Sequence, residues 1–302
     1  MECEEKKFLQ AVELLKQGEV VAFPTETVYG LGACIFYEEA VQKIFSIKKR
    51  PSDNPLIAHI GSLSDVAKLA IDIPDAFYTL SSAFWPGPLT IVLKKHPAVP
   101  ALVSAGHPTM AIRMPDHPLA LRLIQAVGEP LVAPSANLSG RPSPTQASDV
   151  KEDLAGRLPL VLDGGECSIG IESTVVSLID PIPTLLRPGS ISQAQLESVL
   201  KCPIRLASEK DPACSPGMKH RHYAPRARVQ VVLYPERPST SASYLISSEP
   251  LFSALVFNRR NFYSRLREAD RLGAEEITIY CGPSVQQDAG LMNRILRSAG
   301  LL

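Results

Sequence analysis

Six short stretches of this chain gather the residue types that could do chemistry: PTETVYGLG (24–32), KKRPSDNPLIAHI (48–60), TMAIRMP (109–115), APSANLSG (133–140), GIESTVV (170–176) and LRPG (186–189). In the second, Lys48, Lys49 and Arg50 end a helical pattern, where cations suit the macrodipole. Pro51 and Pro55 stiffen the next few residues and hold Asn54 and His59 in defined places. A rigid cationic loop suits a polyphosphate, since arginine offers a planar fork and lysine a point charge. In the third, Arg113 interrupts an apolar run, so it is either a carboxylate clamp or an edge residue whose head snorkels to water. The small hydroxyls and amide of Ser135, Asn137 and Ser139 either cap a turn or bond a nucleotide. The first stretch leaves a strand, the place where polar residues line ligand crevices in α/β sheets. It reads equally as a turn capped by Thr25 with Tyr29 buried. Ser173 and Arg187 stand at the entry and exit of two further strands.

Other chemistries lack their signatures. There is no G-x-x-x-x-G-K-[ST] or G-x-G-x-x-G phosphate cradle and no G-x-S-x-G elbow. His220 and His222 lie two apart but without further ligands at a metal-site spacing, so they read as solvated or backbone-bonded.

The elements that must position these residues alternate. Apolar periodicity predicts helices at 4–16, 38–48, 63–70, 76–84, 118–127, 147–154 and 193–200, interleaved with short strands at 20–23, 56–60, 89–93, 110–114, 131–133, 160–162, 174–179 and 184–186. The class is therefore α/β, with mixed strand directions because the last two strands succeed one another directly. Residues 201–228, rich in Pro, Cys and charge, read as a linker. Beyond it strands at 229–233, 254–257 and 277–280 and helices at 262–272 and 286–299 make a small α/β domain at 229–302, after a first domain at 1–200.

Composition narrows the field. A chain of 302 residues, 45% apolar, buries a real core. Thirty-one basic residues balance thirty-one acidic ones, which argues against a surface built wholly for nucleic acid but leaves room for a local basic cleft. Six cysteines without C-x-x-C spacing read as reduced thiols. With no apolar run long enough for a membrane and a charged start, cytoplasm is the expected location.

Taken together, PTETVYGLG, KKRPSDNPL, WPGPLT, PSANLSG, GIESTVV and LRPGSI, in this order, resemble the YrdC-like domain of the threonylcarbamoyl-AMP synthase family. Lys48-x-Arg50 with Ser135-x-Asn137 matches that family's K-x-R … S-x-N signature. SPGMKHRHYAP (215–225) resembles the linker of its long, two-domain members, and GLMNRILRSAG (290–300) the end of their C-terminal domain.

The resemblance implies a twisted, open mixed sheet with a concave, positively lined cavity, then a small Rossmann-like domain. It implies that L-threonine, bicarbonate and ATP become L-threonylcarbamoyladenylate and pyrophosphate, for the threonylcarbamoyl modification of adenosine in tRNAs reading ANN codons. Lys48, Arg50, Ser135 and Asn137 would be catalytic. Thr27, His59, Arg113, Ala133 and Ser173 would hold threonine, and Arg50, Asn54, Thr109, Ser135, Ser143, Arg187 and Tyr223 would hold ATP, with Tyr223 and its neighbours as a lid. Mg²⁺ would ride on ATP and water with no protein metal ligands, and no prosthetic group is expected. A downstream threonylcarbamoyl-transfer complex and weak tRNA binding are the expected macromolecular partners. The rivals are an RNA-binding module without turnover, disfavoured by neutral charge and the lack of an aromatic platform, and a carbamoyltransferase-type relative, disfavoured by the absence of C-x-x-C pairs.

Overall fold

The structure, a computed structural model, describes residues 2–208, 223–233, 243–250 and 254–302. His220, His222 and most of SPGMKHRHYAP lie outside the described residues.

Helix α1 (Glu2–Lys16) buries Phe8, Ala11, Val12 and Leu15 and delivers the chain to β1 (Val21–Phe23). Strand β2 (Gly30–Cys34) returns antiparallel to β1, and α2 (Glu38–Lys48) leads into β3 (Ile57–His59). A short α3 (Val66–Leu69) and α4 (Asp75–Phe84) precede the antiparallel pair β4 (Leu89–Lys94) and β5 (Thr109–Arg113). Then come α5 (Pro118–Val127), β6 (Leu131–Val132), α6 (Ala147–Leu154), β7 (Thr174–Ser177), β8 (Thr184–Arg187), α7 (Gln193–Leu200) and β9 (Arg205–Leu206). These strands form one mixed sheet in the order β1-β2-β6-β3-β5-β4-β7-β8-β9.

The two-residue period of the strands sorts side chains to two faces. Ala58 of β3, Ile91 and Leu93 of β4 and Ile112 of β5 face the core built with Ile44, Phe45, Phe77 and Leu80 of the helices. Ile57, Val92, Ala111 and Val175 form a separate small apolar floor on the opposite face. His59, Arg113 and Ser173 share the register of that floor, so the pleat itself carries polar groups to one side of the sheet. A register shift between Val175 and Val176 places Arg187 of β8 opposite Val175.

The C-terminal unit is a parallel sheet, β10 (Arg228–Val232), β11 (Ser243–Ser247), β12 (Leu255–Val256) and β13 (Glu276–Tyr280), in the order β10-β13-β11-β12, with α8 (Phe262–Arg271), α9 (Pro283–Gln286) and α10 (Ala289–Ala299). Its core is continuous with the first domain, since Val28 and Ile171 join Phe262, Tyr263, Leu266 and Ile295. A buried ion pair, Arg267 Nη2 to Asp153 Oδ2 at 2.9 Å, ties α8 to α6.

Several elements differ from the sequence expectation. The run at 160–162 makes only an isolated bridge, Ala22 with Val161. Within the expected linker, β9 pairs with β8 and extends the large sheet. The helix expected at 286–299 is split, because the Asp288 carboxylate accepts the Leu291 N–H at 3.0 Å and starts α10 afresh.

The five described cysteines are all free. Burial pushes the Cys34 thiol up to about 11, and Cys167 and Cys281 up to about 12. No helix among the described residues is long and apolar enough to cross a membrane.

Candidate active site

The first wall is the loop between β1 and β2. Thr25 Oγ1 accepts the N–H groups of Thr27 and Val28, both at 3.2 Å, so it caps the turn. Tyr29 is buried and donates to the Gly165 carbonyl at 2.7 Å. The turn leaves the Thr27 hydroxyl 2.8 Å from that of Thr25 and accepting from Arg113 Nη1, also at 2.8 Å. Capped turn and ligand-facing loop are thus one structure.

Arg113 ends β5 inside the protein, 4% exposed, so it does not snorkel. Its Nε donates to the Gly87 carbonyl at 3.2 Å and its Nη2 lies 2.5 Å from Glu26 Oε1. That contact is a close ion pair without hydrogen-bond alignment, since neither carboxylate oxygen of Glu26 has a hydrogen-bond partner. Beside it, His59 Nδ1 sits 3.2 Å from the Ile57 carbonyl. Burial, then the Arg113 charge, pulls this imidazole down to about 3, so it is neutral across the physiological range.

The second wall is cationic. Arg50 donates to the carbonyls of Asn54 at 3.3 Å and Pro55 at 3.2 Å, bracing the loop that the two prolines stiffen. Burial draws its guanidinium down to about 10. Arg187 donates through Nε and Nη2 to the Ser173 carbonyl, at 3.1 and 3.0 Å, and to its hydroxyl at 3.2 Å. Ser173 Oγ also meets Thr90 Oγ1 at 2.7 Å.

The third wall is the PSANLSG turn. Ser135 Oγ donates to Asn137 Oδ1 at 2.5 Å, and Asn137 Nδ2 donates to the carbonyls of Leu138 and Arg141. Lys48 Nζ comes from beneath and donates to the carbonyls of Ser135 and Asn137. Burial first, and the charge of Arg50 second, pull this ammonium well below its ordinary value.

These walls enclose about 580 Å³ of empty space, counting the mouth open to solvent. Of the residues singled out in the sequence, Thr27, Arg50, His59, Arg113, Ala133, Ser135, Ser173, Arg187 and Tyr223 line it. Lys48, Asn54, Thr109, Asn137 and Ser143 are buried and do not line it. Thr109 Oγ1 is buried without a hydrogen-bond partner.

Glu172 also lines the cleft and was not singled out in the sequence. Its carboxylate accepts from Ser143 Oγ at 2.5 Å, Tyr263 Oη at 2.9 Å and Arg294 Nε at 2.8 Å. Burial alone would raise it, but Arg294, Arg187 and the Ser143 hydroxyl outweigh burial and hold it below the usual carboxylate range. The only sequence signal was its place beside Ser173. Glu26, behind Arg113, was also missed. Three guanidinia against one lining carboxylate leave the cleft suited to anions.

Comparison with known proteins settles the family. Residues 13–189 match the Sua5/YciO/YrdC family model, described as telomere recombination, and residues 191–300 match the model of the threonylcarbamoyl-AMP synthase C-terminal domain. The chain belongs to the threonylcarbamoyl-AMP synthase family. A Bacillus subtilis threonylcarbamoyl-AMP synthase is 43% identical over 96% of this chain and 92% of its own length. The crystal structure of P. abyssi Sua5 complexed with L-threonine superposes with a TM-score of 0.90, at 40% identity, over 99% of this chain and 95% of that one. E. coli YciO, 27% identical with a TM-score of 0.54, covers 60% of this chain and 88% of its own. The family fold is thus the twisted mixed sheet expected from the motifs, with the C-terminal domain added.

Proposed function

We propose that this chain condenses L-threonine, bicarbonate and ATP into L-threonylcarbamoyladenylate, releasing pyrophosphate. The observation that carries the reading is a single cleft with an arginine fixed at each end. Arg113 stands beside Thr27 and the neutral His59, while Arg50 and Arg187 both lie within electrostatic reach of Tyr223.

At the first end Arg113 clamps the threonine carboxylate, with Thr27, His59, Ala133 and Ser173 around the rest of the amino acid. The substrate amine loses a proton and adds to bicarbonate, water leaves, and a carbamate forms. A carbamate oxygen then attacks the α-phosphorus of ATP and pyrophosphate departs. No covalent enzyme intermediate is required, so catalysis rests on positioning and on neutralising the charge that develops on phosphate.

Arg50 and Arg187 supply that neutralisation. Asn54, Thr109, Ser135, Ser143 and Tyr223 complete the nucleotide end, and Tyr223 keeps water from a labile adenylate. Lys48 and Asn137 act by holding the Ser135 turn in place, which accounts for their position outside the lining. Among the described residues no three His, Cys, Asp or Glu side chains gather as a metal cage. A Mg²⁺ ion carried on phosphate oxygens and water suits this arginine-rich lining, and the Glu172 carboxylate is already committed to three donors.

The product supplies threonylcarbamoylation of tRNA adenosine through a downstream transfer complex. The deciding assay is pyrophosphate release from ATP with Mg²⁺, comparing full reactions with ones lacking L-threonine or bicarbonate. Release that requires both is expected. Folded protein that releases none would refute the reading and bring RNA binding without turnover to the front.

A further inference from the structure

Two side chains of the C-terminal domain stand against the lining residue Glu172: Tyr263, and Arg294 from the GLMNRILRSAG segment. Arg294 of α10 is fully buried. Its Nε donates to the Glu172 carboxylate at 2.8 Å, its Nη2 to the Glu172 carbonyl at 3.2 Å and its Nη1 to the Pro188 carbonyl at 2.9 Å. One guanidinium therefore fastens the residue before Ser173 to the residue after Arg187. Tyr263 of α8 donates to the same carboxylate at 2.9 Å. Both also neighbour the Tyr223 ring, with the Tyr263 ring tilted by 31° at 5.6 Å and the Arg294 guanidinium over its face, 5.5 Å from its centre.

Backbone contact makes this approach specific. A Cβ on Gly290 of α10 would lie 2.4 Å from the Gly189 carbonyl oxygen, and one on Gly189 would lie 2.4 Å from the Thr174 nitrogen. Helix α10 thus seats glycine to glycine on the LRPG segment, and Arg294, one turn further on, enters beneath the cleft.

Glu172 explains why the arrangement is needed. A carboxylate facing a polyanion site repels the ligand unless its charge is neutralised, and a buried ion left without its partner is costly. We propose that Arg294 and Tyr263 are positioning residues of the nucleotide end. They neutralise and fix Glu172, which orients Ser143, and they hold Tyr223 and the Arg187 segment. The C-terminal domain is on this view part of the active site. Of the threonine end only Ser173, which follows Glu172 and accepts from Arg187, adjoins them, while Arg113 with Thr27 and His59 is braced elsewhere. This inference rests on assigning Ser143, Arg187 and Tyr223 to the nucleotide.

The test is calorimetric titration of the full chain with ATP plus Mg²⁺ and, separately, with L-threonine. The proteins are the unsubstituted chain, Arg294→Met, Arg294→Met/Glu172→Gln and Tyr263→Phe, with melting curves alongside. Arg294→Met is expected to weaken ATP binding by about tenfold or more, because a buried charge is stranded beside the phosphates. Threonine affinity stays within about twofold, and adding Glu172→Gln restores part of the ATP affinity. Tyr263→Phe, which keeps the ring, costs about threefold for ATP alone. Unchanged ATP affinity in folded Arg294→Met, or equal losses for both ligands, would overturn the proposal. Should Arg294→Met not fold, Tyr263→Phe decides by the same criteria. An unsubstituted chain that binds no ATP would refute the functional reading itself and remove this inference with it.

Discussion

Lys48 tests most directly how the cleft is held together. Its Nζ is buried under the PSANLSG turn and donates to the carbonyls of Ser135 and Asn137. Lys48→Met keeps the length and apolar stem of the side chain and removes both bonds. Each hydrogen bond from a charged donor contributes about 1.5–3 kcal/mol, and removing a buried ammonium returns part of its desolvation cost, so a net loss of about 2–3 kcal/mol is expected. At about 2–4 °C per kcal/mol for a chain of this size, the melting temperature of the ligand-free protein falls by about 4–12 °C. Thermal unfolding with and without ATP and Mg²⁺ is the assay. Because Lys48 acts through the turn, the ligand-free protein itself is destabilised, and the shift that ATP adds shrinks without vanishing. An unchanged ligand-free melting temperature with a vanished ATP shift would refute this, and would mean that Lys48 leaves its carbonyls to touch phosphate directly.

The threonine end gives two more expected outcomes. Arg113→Lys keeps the charge but loses the planar fork that reaches Glu26, Thr27 and Gly87 together; titration should show threonine affinity down by about tenfold or more with ATP binding within about twofold, and equal losses would remove the clamp. His59, pulled down to about 3 from an ordinary 6.5, gains its proton in the unfolded chain before it does in the folded one, so stability is lost as pH falls from 6.5 toward 3. By pH 5 the loss is about 2 kcal/mol; urea midpoints of His59→Asn should fall less steeply between pH 7 and 5 than those of the unsubstituted chain, and parallel slopes would show that His59 is not buried neutral.

Most of the frame was legible because short-range rules decide it. Helical periodicity located α2, α5 and α7 to the residue, and the strand runs located β4 and β7 at their starts. Strand β2 was not legible, because its sequence GLGAC looks like a loop. Its glycines serve packing instead, since a Cβ on Gly32 would lie 2.5 Å from the Phe23 ring. The turn residues Thr25 and Tyr29 show why a motif resists a single reading: both structural roles are filled, and the same turn aims Thr27 at Arg113. Long-range pairing was beyond the sequence altogether. Glu172 and Arg294 are separated by 122 positions and by a domain boundary, and no local pattern couples them.

The burial of the charges explains how a site without a nucleophile can still be an active site. An arginine free in water reorganises at every encounter, and that reorganisation opposes catalysis. Here Arg113, Arg187 and Arg50 each spend donors on backbone carbonyls, those of Gly87, Ser173 and of Asn54 and Pro55, so their direction is fixed before a ligand arrives. Such a cleft is costly to build, since Arg113 and Arg187 are taken out of water and Arg50 partly so. The carboxylates beside them offset that cost but also compete with an anionic ligand. Glu26 and Glu172 resolve the conflict differently. Glu26 lies behind Arg113 and outside the lining, whereas Glu172 faces the cleft and is held by three donors, two of them from the C-terminal domain. On the proposed assignment, a second domain that supplies those two donors gives the nucleotide end a dependence that the threonine end shares only through Ser173. Separate titration of the two ligands is therefore more informative than turnover, which would fall whichever end was disturbed.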